Sequence, residues 1–257
     1  MYQFFVSDEQ VYDGKIQIAG SDVNHIGHVL RMKPGVKIRI SDESGRAYFC
    51  TIESISENEV WAVIDEVDEK GTELPCRVVL FQGLPKGDKM ELIIQKAVEL
   101  GVNEVVPVAM KNCVMKLDEK KAAKKIERWQ NIAESAAKQS KRTIIPKISH
   151  PVKYKQALEM AKELDITLVP YENERGMEAT REIIDGIAEN PVQSIGIIVG
   201  PEGGFAPEEI AMVDENPEMH RISLGRRILR TETAGMAALA MLVYRLDLRS
   251  TDGSIFG

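Results

Sequence analysis

An α/β domain with a mostly parallel sheet, preceded by a small β-barrel-like domain, is the architecture that the 257-residue sequence predicts. Three observations carry it. Beyond about residue 75, short apolar runs alternate with longer helical patterns, the order that builds a parallel sheet with crossover helices. Before that point the runs are short, β-branched and separated by turn signals. The composition, 44% hydrophobic and 28% charged, is that of an ordinary globular chain with enough residues for a full core.

In the first seventy or so residues, VYDGKIQI, VKIRISDESGRAYFCTI and VWAVIDEV read as strands, with KPG and DESG as turns. SDVNHIGHVLRM has a helical pattern with Ser21 or Asp22 as N-cap. The acidic stretch DEVDEKGTELP, ending at Pro75, reads as a linker, which sets domains at 1–72 and 73–257. RVVLFQG is then a strand. GDKMELIIQKAVELG is a helix with Met90, Ile93, Ile94, Ala97 and Val98 on one face and Gly101 at its C-terminal end. VNEVVPVAM is a strand, and EKKAAKKIERWQNIAESAAKQSKR a long amphipathic helix burying Ile126, Trp129, Ala133, Ala136 and Ala137. DITLVP, SIGIIVG and HRISLG are further strands separated by helical segments. TAGMAALAMLVYRL is the last helix.

No apolar run approaches the roughly 18 residues of a membrane span, and MYQFFVSDEQ lacks the features of a secretory signal. Cys50, Cys76 and Cys113 form neither a CxxC nor a paired framework, as expected in a reducing cytoplasm. His25 and His28 have no cysteine nearby, so no metal site is expected. The net charge of −7 would disfavour a nucleic-acid partner if spread evenly, but distribution matters more. Residues 25–46 hold five Lys/Arg against two acids, and residues 116–147 are also basic, while ESISENEVWAVIDEVDEKGTE collects acids.

Two glycine-containing loops carry the chemistry. The strand SIGIIVG runs into GPEGGFAPEEI, a strand–turn–helix unit of the kind that binds ligands at the edge of an open α/β sheet. Neither GxxxxGK[ST] nor GxGxxG is present. Pro207, Glu208 and Glu209 open the next helix, and together with Glu202 they repel a phosphate at that helix end. The glycines allow close approach to a flat or bulky ligand without phosphate; a tight turn that binds nothing accounts for the same residues. The second loop, SLGRRILRTETAG, sets Arg226, Arg227 and Arg230 end-on to the apolar last helix, with Gly225 ending a strand and Thr231 or Thr233 able to cap. Two such loops with Arg and Glu between them favour a site over two idle turns. LVPYENE is a third strand end, which taken alone reads as a surface loop.

GPEGGF followed by LGRRILRTETA resembles the SPOUT superfamily of S-adenosylmethionine-dependent RNA methyltransferases, and within it the RsmE-type 16S ribosomal RNA (uracil-N3)-methyltransferases. HVLRMKPG is similar to that family's RNA-binding PUA-like barrel, LFQGLPKGDKMELIIQKAVELGV to its first strand–helix unit, and ESAAKQSKRTIIPKI to its segment ending in Gln-Ser-x-Arg. The resemblance covers essentially the whole chain in order.

It implies a deep trefoil knot in the C-terminal domain, which periodicity could not show because knots are so rare. The implied cofactor is S-adenosyl-L-methionine, wrapped by three segments: Leu168, Pro170, Tyr171 and Glu172; Val199, Gly200, Pro201, Glu202, Gly203 and Gly204; and Leu224, Gly225, Ile228, Leu229, Thr231, Thr233 and Ala234. The residues agree, since that cofactor has a purine, a sulfonium and an amino acid but no phosphate. A homodimer is implied, with the active site finished by the second subunit; the last helix suits a dimer face or plain core equally. The implied reaction methylates N3 of uridine 1498 in 16S rRNA of the small ribosomal subunit. The methyl must sit in line with N3, the N3 proton must leave, and the uracil anion needs a cationic partner. Arg230 and Arg142 are candidates for that partner and Glu232 for the base. Arg31, Lys33, Lys86, Lys138, Gln139 and Ser140 are candidate RNA contacts; each charge is read equally well as a solvated surface group. A non-catalytic RNA-binding assembly factor that kept the fold is one rival. A nucleotide-dependent α/β enzyme is another, against which the missing phosphate motifs count. Neither a metal nor a membrane is expected.

Overall fold

The structure is a computed structural model describing residues 1–117 and 119–247. It divides into two compact units, Met1–Glu73 with Ala137–Ile145, and Leu74–Ala136 with the chain from Pro146 onward.

The first unit is built on β1 (Tyr2–Phe5), β2 (Val11–Tyr12), β3 (Lys15–Ala19), a single turn α1 (Ser21–Asn24), β4 (Lys37–Ser41), β5 (Ala47–Ile55) and β6 (Glu59–Val67). The six strands form one sheet in the order β1-β4-β5-β6-β3-β2. All pairs are antiparallel except β1 with β4. Strand alternation puts Ile16, Ile18, Ile38, Ile40, Cys50, Ile52, Val60 and Ala62 into one core, closed by Val23 and Ile26. Register shifts at Phe49/Cys50 and Ile52/Ser54 bend the two longest strands, which is how a sheet this small curls around its core. Burial pushes the Cys50 thiol up to about 12. The expected helix is one α-turn followed by a π-turn at His25–Val29, and its N-cap is Gly20 rather than Ser21 or Asp22. Tyr2–Phe5 carries no turn-bounded pattern of its own, yet it becomes β1 because Phe4 is buried and the strand pairs with β4.

The acidic stretch after β6 is not a free linker. Arg39 is buried and pairs with Asp68 at 2.6 Å. Arg142 is buried, and its Nε donates to both Glu73 carboxylate oxygens at 2.9 and 2.8 Å. Gln3 donates to the Arg142 carbonyl, and Arg39 and Thr72 to that of Lys141. The acids are counter-charges for two buried arginines, and they draw residues 137–145 into the first unit. A contiguous division at 72/73 does not contain that excursion.

The second unit contains β7 (Arg77–Gly83), α2 (Lys89–Glu99), β8 (Glu104–Ala109), α3 (Glu119–Ser140, whose last turn belongs to the first unit), β9 (Lys147–Ile148), β10 (Val152–Lys153) and α4 (Tyr154–Lys162). It continues with β11 (Ile166–Pro170), α5 (Glu178–Glu189), β12 (Ser194–Val199), α6 (Pro207–Asp214), β13 (Met219–Ile222) and α7 (Thr231–Leu246). The strands form one parallel sheet in the order β10-β8-β7-β12-β11-β13, with β9 beside β8. β7 and β12 pair at its centre and are buried on both faces, hence their continuous apolar runs. α2 buries the five residues its periodicity picks out. α3 buries Ala122, Trp129, Ala133, Ala136 and Ala137 and leaves Ile126 half-buried. α7 buries Thr231, Gly235, Ala238, Leu239, Leu242 and Leu246, one face of a helix. Among the described residues no helix is long and apolar enough to cross a membrane.

Candidate functional site

Because β12, β11 and β13 are parallel neighbours, the chain leaves all three at the same sheet edge. The three exits enclose a cavity of about 300 Å³. Pro170, Tyr171 and Glu172 line it from the end of β11, and Val199, Gly200, Pro201, Glu202 and Gly204 from the loop after β12. Leu224, Gly225, Ile228, Leu229, Thr231 and Ala234 line it from the loop into α7. Glu174, Phe205, Arg226, Arg227 and Arg230 complete the wall. Three expected residues do not reach it. Leu168 is fully buried inside β11, Thr233 is exposed on the first turn of α7, and Gly203 faces Asn112, whose Cβ would lie 2.9 Å from an added Gly203 Cβ.

The loop after β12 is held from three sides. Lys86 N–H donates to Glu202 at 3.1 Å. Asn112 Nδ2 donates to the carbonyls of Gly203 and Gly204 at 3.1 and 3.2 Å. Thr231 Oγ1 donates to the Gly200 carbonyl at 2.6 Å and accepts from Gln82 Nε2 at 2.9 Å. Gly83 allows the approach from below, since a Cβ there would sit 2.7 Å from Pro201 N. Gly204 turns the loop with φ +66°. Phe205 lies edge-on to Tyr154 and Tyr171, with centroids 6.5 and 6.4 Å apart.

Thr231 is thus a tie between two loops and not a cap. The N-cap of α7 is Arg230, in extended backbone at φ −66° and ψ 153°, and no side chain bonds to cap the helix. Thr231→Val leaves the Gly200 carbonyl without its donor and is expected to lower stability by about 1–3 kcal/mol, with Thr231→Ser restoring most of it. Urea unfolding of the three proteins checks this; equal stability of the Val variant would show the tie to be idle.

The start of α6 is closed to anions. Buried Glu209 accepts the N–H groups of Ala206 and Lys111, each at 2.9 Å, and Glu208 pairs with the Lys111 ammonium. The other acids near the cavity are mostly paired as well. Lys89 lies 3.0 Å from Glu202 and 3.2 Å from Glu232, the latter an ion pair without well-aligned hydrogen-bond geometry. The Glu202 carboxylate, with Glu232 beside it, holds the Lys89 ammonium above its ordinary range. Partial burial works to raise Glu202, but its own N–H, Lys89 and the Lys86 N–H outweigh this and keep it low. Glu174 pairs with Arg221 at 2.9 Å. Among the described residues Arg226, Arg227, Arg230 and Glu172 have no ion pair or side-chain hydrogen bond.

Arg230 is therefore a free guanidinium in the cavity wall. Arg142, the other candidate, is a buried structural cation committed to Glu73 in the first unit. Glu232 does not line the cavity and is committed to Lys89. Of the candidate RNA contacts, Arg31 and Lys33 are exposed in the first unit, Arg31 at φ +50°, and Lys86 is exposed in the second. Lys138 pairs with Asp22 at 3.2 Å, Gln139 is exposed and Ser140 half-buried, all in the first unit. Sequence reasoning missed Asn112, Lys89 and Gln82. The first follows a strand at the same sheet edge, a usable signal; the others sit in a helix and a strand whose apolar patterns conceal them.

Fold and site place the chain in a class. Residues 72–243 match the family model of the RNA methyltransferase domain, and residues 18–65 that of the RNA methyltransferase PUA domain. A Bacillus subtilis (strain 168) protein named ribosomal RNA small subunit methyltransferase E is 36% identical, over 98% of this chain and 100% of its own. The crystal structure of a ribosomal RNA small subunit methyltransferase E from Neisseria gonorrhoeae bound to S-adenosyl methionine is 31% identical with a TM-score of 0.78, over 93% of this chain and 95% of that one. A Legionella pneumophila protein described as a methyltransferase, in complex with the same cofactor, is 31% identical with a TM-score of 0.78, over 94% and 96%. The chain belongs to the ribosomal RNA small subunit methyltransferase E family.

Proposed function

We propose that the protein is an S-adenosyl-L-methionine-dependent methyltransferase of 16S rRNA in the small ribosomal subunit, acting on N3 of a uridine, uridine 1498 in ribosomal numbering. The observation that carries this is the three-loop cavity with an unpaired Arg230 in its wall and no phosphate cradle. The residues fit the cofactor. Backbone at Gly200 and Gly204 can approach a flat adenosine, the unpaired Glu172 suits a cationic group, and Glu209 closes the helix end where a nucleotide phosphate would bind. Bound there, the cofactor supplies an electrophilic methyl.

The chain's own task is to position and to stabilise. The Gln82–Thr231–Gly200 chain of hydrogen bonds fixes the two loops against each other, so the target nitrogen can be held in line. Arg230 stays charged at neutral pH and cannot be the base, but it can stabilise the uracil anion that forms as N3 loses its proton. Arg31, Lys33 and Lys86 steer RNA through its phosphates. A homodimer belongs to this reading, with the exposed side of α7, where Tyr244 is 70% exposed, as the dimer face. So do the trefoil knot and a cytoplasmic location.

Calorimetry with S-adenosylmethionine and with ATP, followed by methyl transfer to unmethylated small subunits, tests the reading. Binding of the first alone and transfer to one uridine are expected. Binding of ATP alone would favour a nucleotide enzyme, and RNA binding without cofactor binding would favour an assembly factor.

A further inference from the structure

The loop into α7 carries three guanidiniums within five residues, and in a chain of net charge −7 none has a partner among the described residues. Arg226, Arg227 and Arg230 are all exposed, Gly225 turns the backbone before them at φ +101°, and the apolar Ile228 between them is 84% exposed. Crowded like charges oppose the fold unless something else offsets them.

Of the acids nearby, Glu172 lines the cavity unpaired, and the others are held elsewhere. Glu202 and Glu232 flank the same cavity loops and are both held by Lys89. Lys89 opens α2, where a cation opposes the helix dipole, so α2 itself does not account for a lysine there; the two carboxylates do. Glu174 is held by Arg221, which also reaches Asp214 at 3.3 Å. These ion pairs withdraw three of the nearby carboxylates, Glu172 makes no pair with the loop arginines, and the arginines stay open to an external anion.

We infer that Arg226 and Arg227 form a phosphate clamp at the cavity mouth, binding the RNA backbone on either side of the nucleotide whose base faces Arg230. This rests on the methyltransferase reading above. The planar guanidinium fork suits a phosphodiester, and two adjacent forks call for more than one anionic group. The cofactor offers a single carboxylate, whereas RNA offers a charge at every nucleotide.

The test is affinity for purified, unmethylated small ribosomal subunits as a function of salt, for the full-length protein, Arg226→Ala, Arg227→Ala and the double variant. Each lost contact should weaken binding at low salt and flatten the slope of log K against log salt by about 0.7–0.9. Affinity for S-adenosylmethionine and the oligomeric mass should be unchanged, and Arg→Lys should keep most of the slope. An unchanged slope overturns the clamp. So does weakened cofactor binding with the slope intact, which would assign the pair to the cofactor carboxylate, or an altered mass, which would assign it to a second copy of the chain. If the unsubstituted enzyme neither binds cofactor nor methylates subunits, the functional reading fails first and the clamp with it.

Discussion

Arg230→Ala is expected to fold normally, bind S-adenosylmethionine nearly as well, and lose on the order of a hundredfold to a thousandfold in single-turnover methylation. The geometry makes this substitution unusually clean. Arg230 holds the N-cap position of α7, but no side chain makes a capping bond there, so little helix stability depends on it. The natural structural partner, Glu232, is taken by Lys89. Thr231, the next residue, is tied to Gly200 and Gln82, which fixes the backbone from which the guanidinium projects. Single-turnover rates with saturating cofactor and subunit separate transition-state stabilisation from binding. Near-normal turnover would defeat the assignment. A proportional loss of folded protein would return Arg230 to a structural role.

Glu73→Ala is expected to cost about 3–5 kcal/mol, because it removes the carboxylate paired with the buried Arg142 guanidinium. Glu73 also accepts the Thr143 N–H at 2.8 Å, so the same carboxylate closes a backbone donor. The double variant Glu73→Ala, Arg142→Met should recover part of the loss, since it removes the buried charge together with its carboxylate. Denaturant unfolding measures both. A loss under about 1 kcal/mol for the single variant would mean that Arg142 reaches water or another acid. The return of residues 137–145 to the first unit also predicts that residues 73–257 do not form a clean isolated cofactor domain. That cut keeps Glu73 but removes Gln3, Arg39 and Asp68, around which residues 137–145 are packed.

The parallel sheet was readable because β7 and β12, covered on both faces, leave nearly continuous apolar runs, and because α2 repeats its apolar residues at helical spacing. The cavity loops were readable through their glycines and crowded arginines. Pairings between distant residues were not. Glu73 and Arg142 are 69 positions apart, and an acidic run between domains looks the same whether it is solvated or neutralises a buried arginine. Thr231 carries a capping residue's signature, yet its hydroxyl serves a carbonyl 31 positions away. Asn112 braces the Gly203–Gly204 peptide from a loop with no motif of its own. Local chemistry marks where a loop is, and only the folded chain shows what holds it still.

The return of residues 137–145 to the first unit bears on the order in which a nascent chain can mature. The six strands are complete in sequence by Val67, but the arginine that neutralises Glu73 is not yet made. At roughly 5–20 residues per second, the ribosome takes about 4–14 s to extend from Glu73 to Ile145. During that interval the first unit emerges with the Glu73 carboxylate unmatched and the seat of the 137–145 segment empty. Its final locking waits on synthesis of about a third of the second unit, so the two units mature as interleaved pieces and not as beads released in turn.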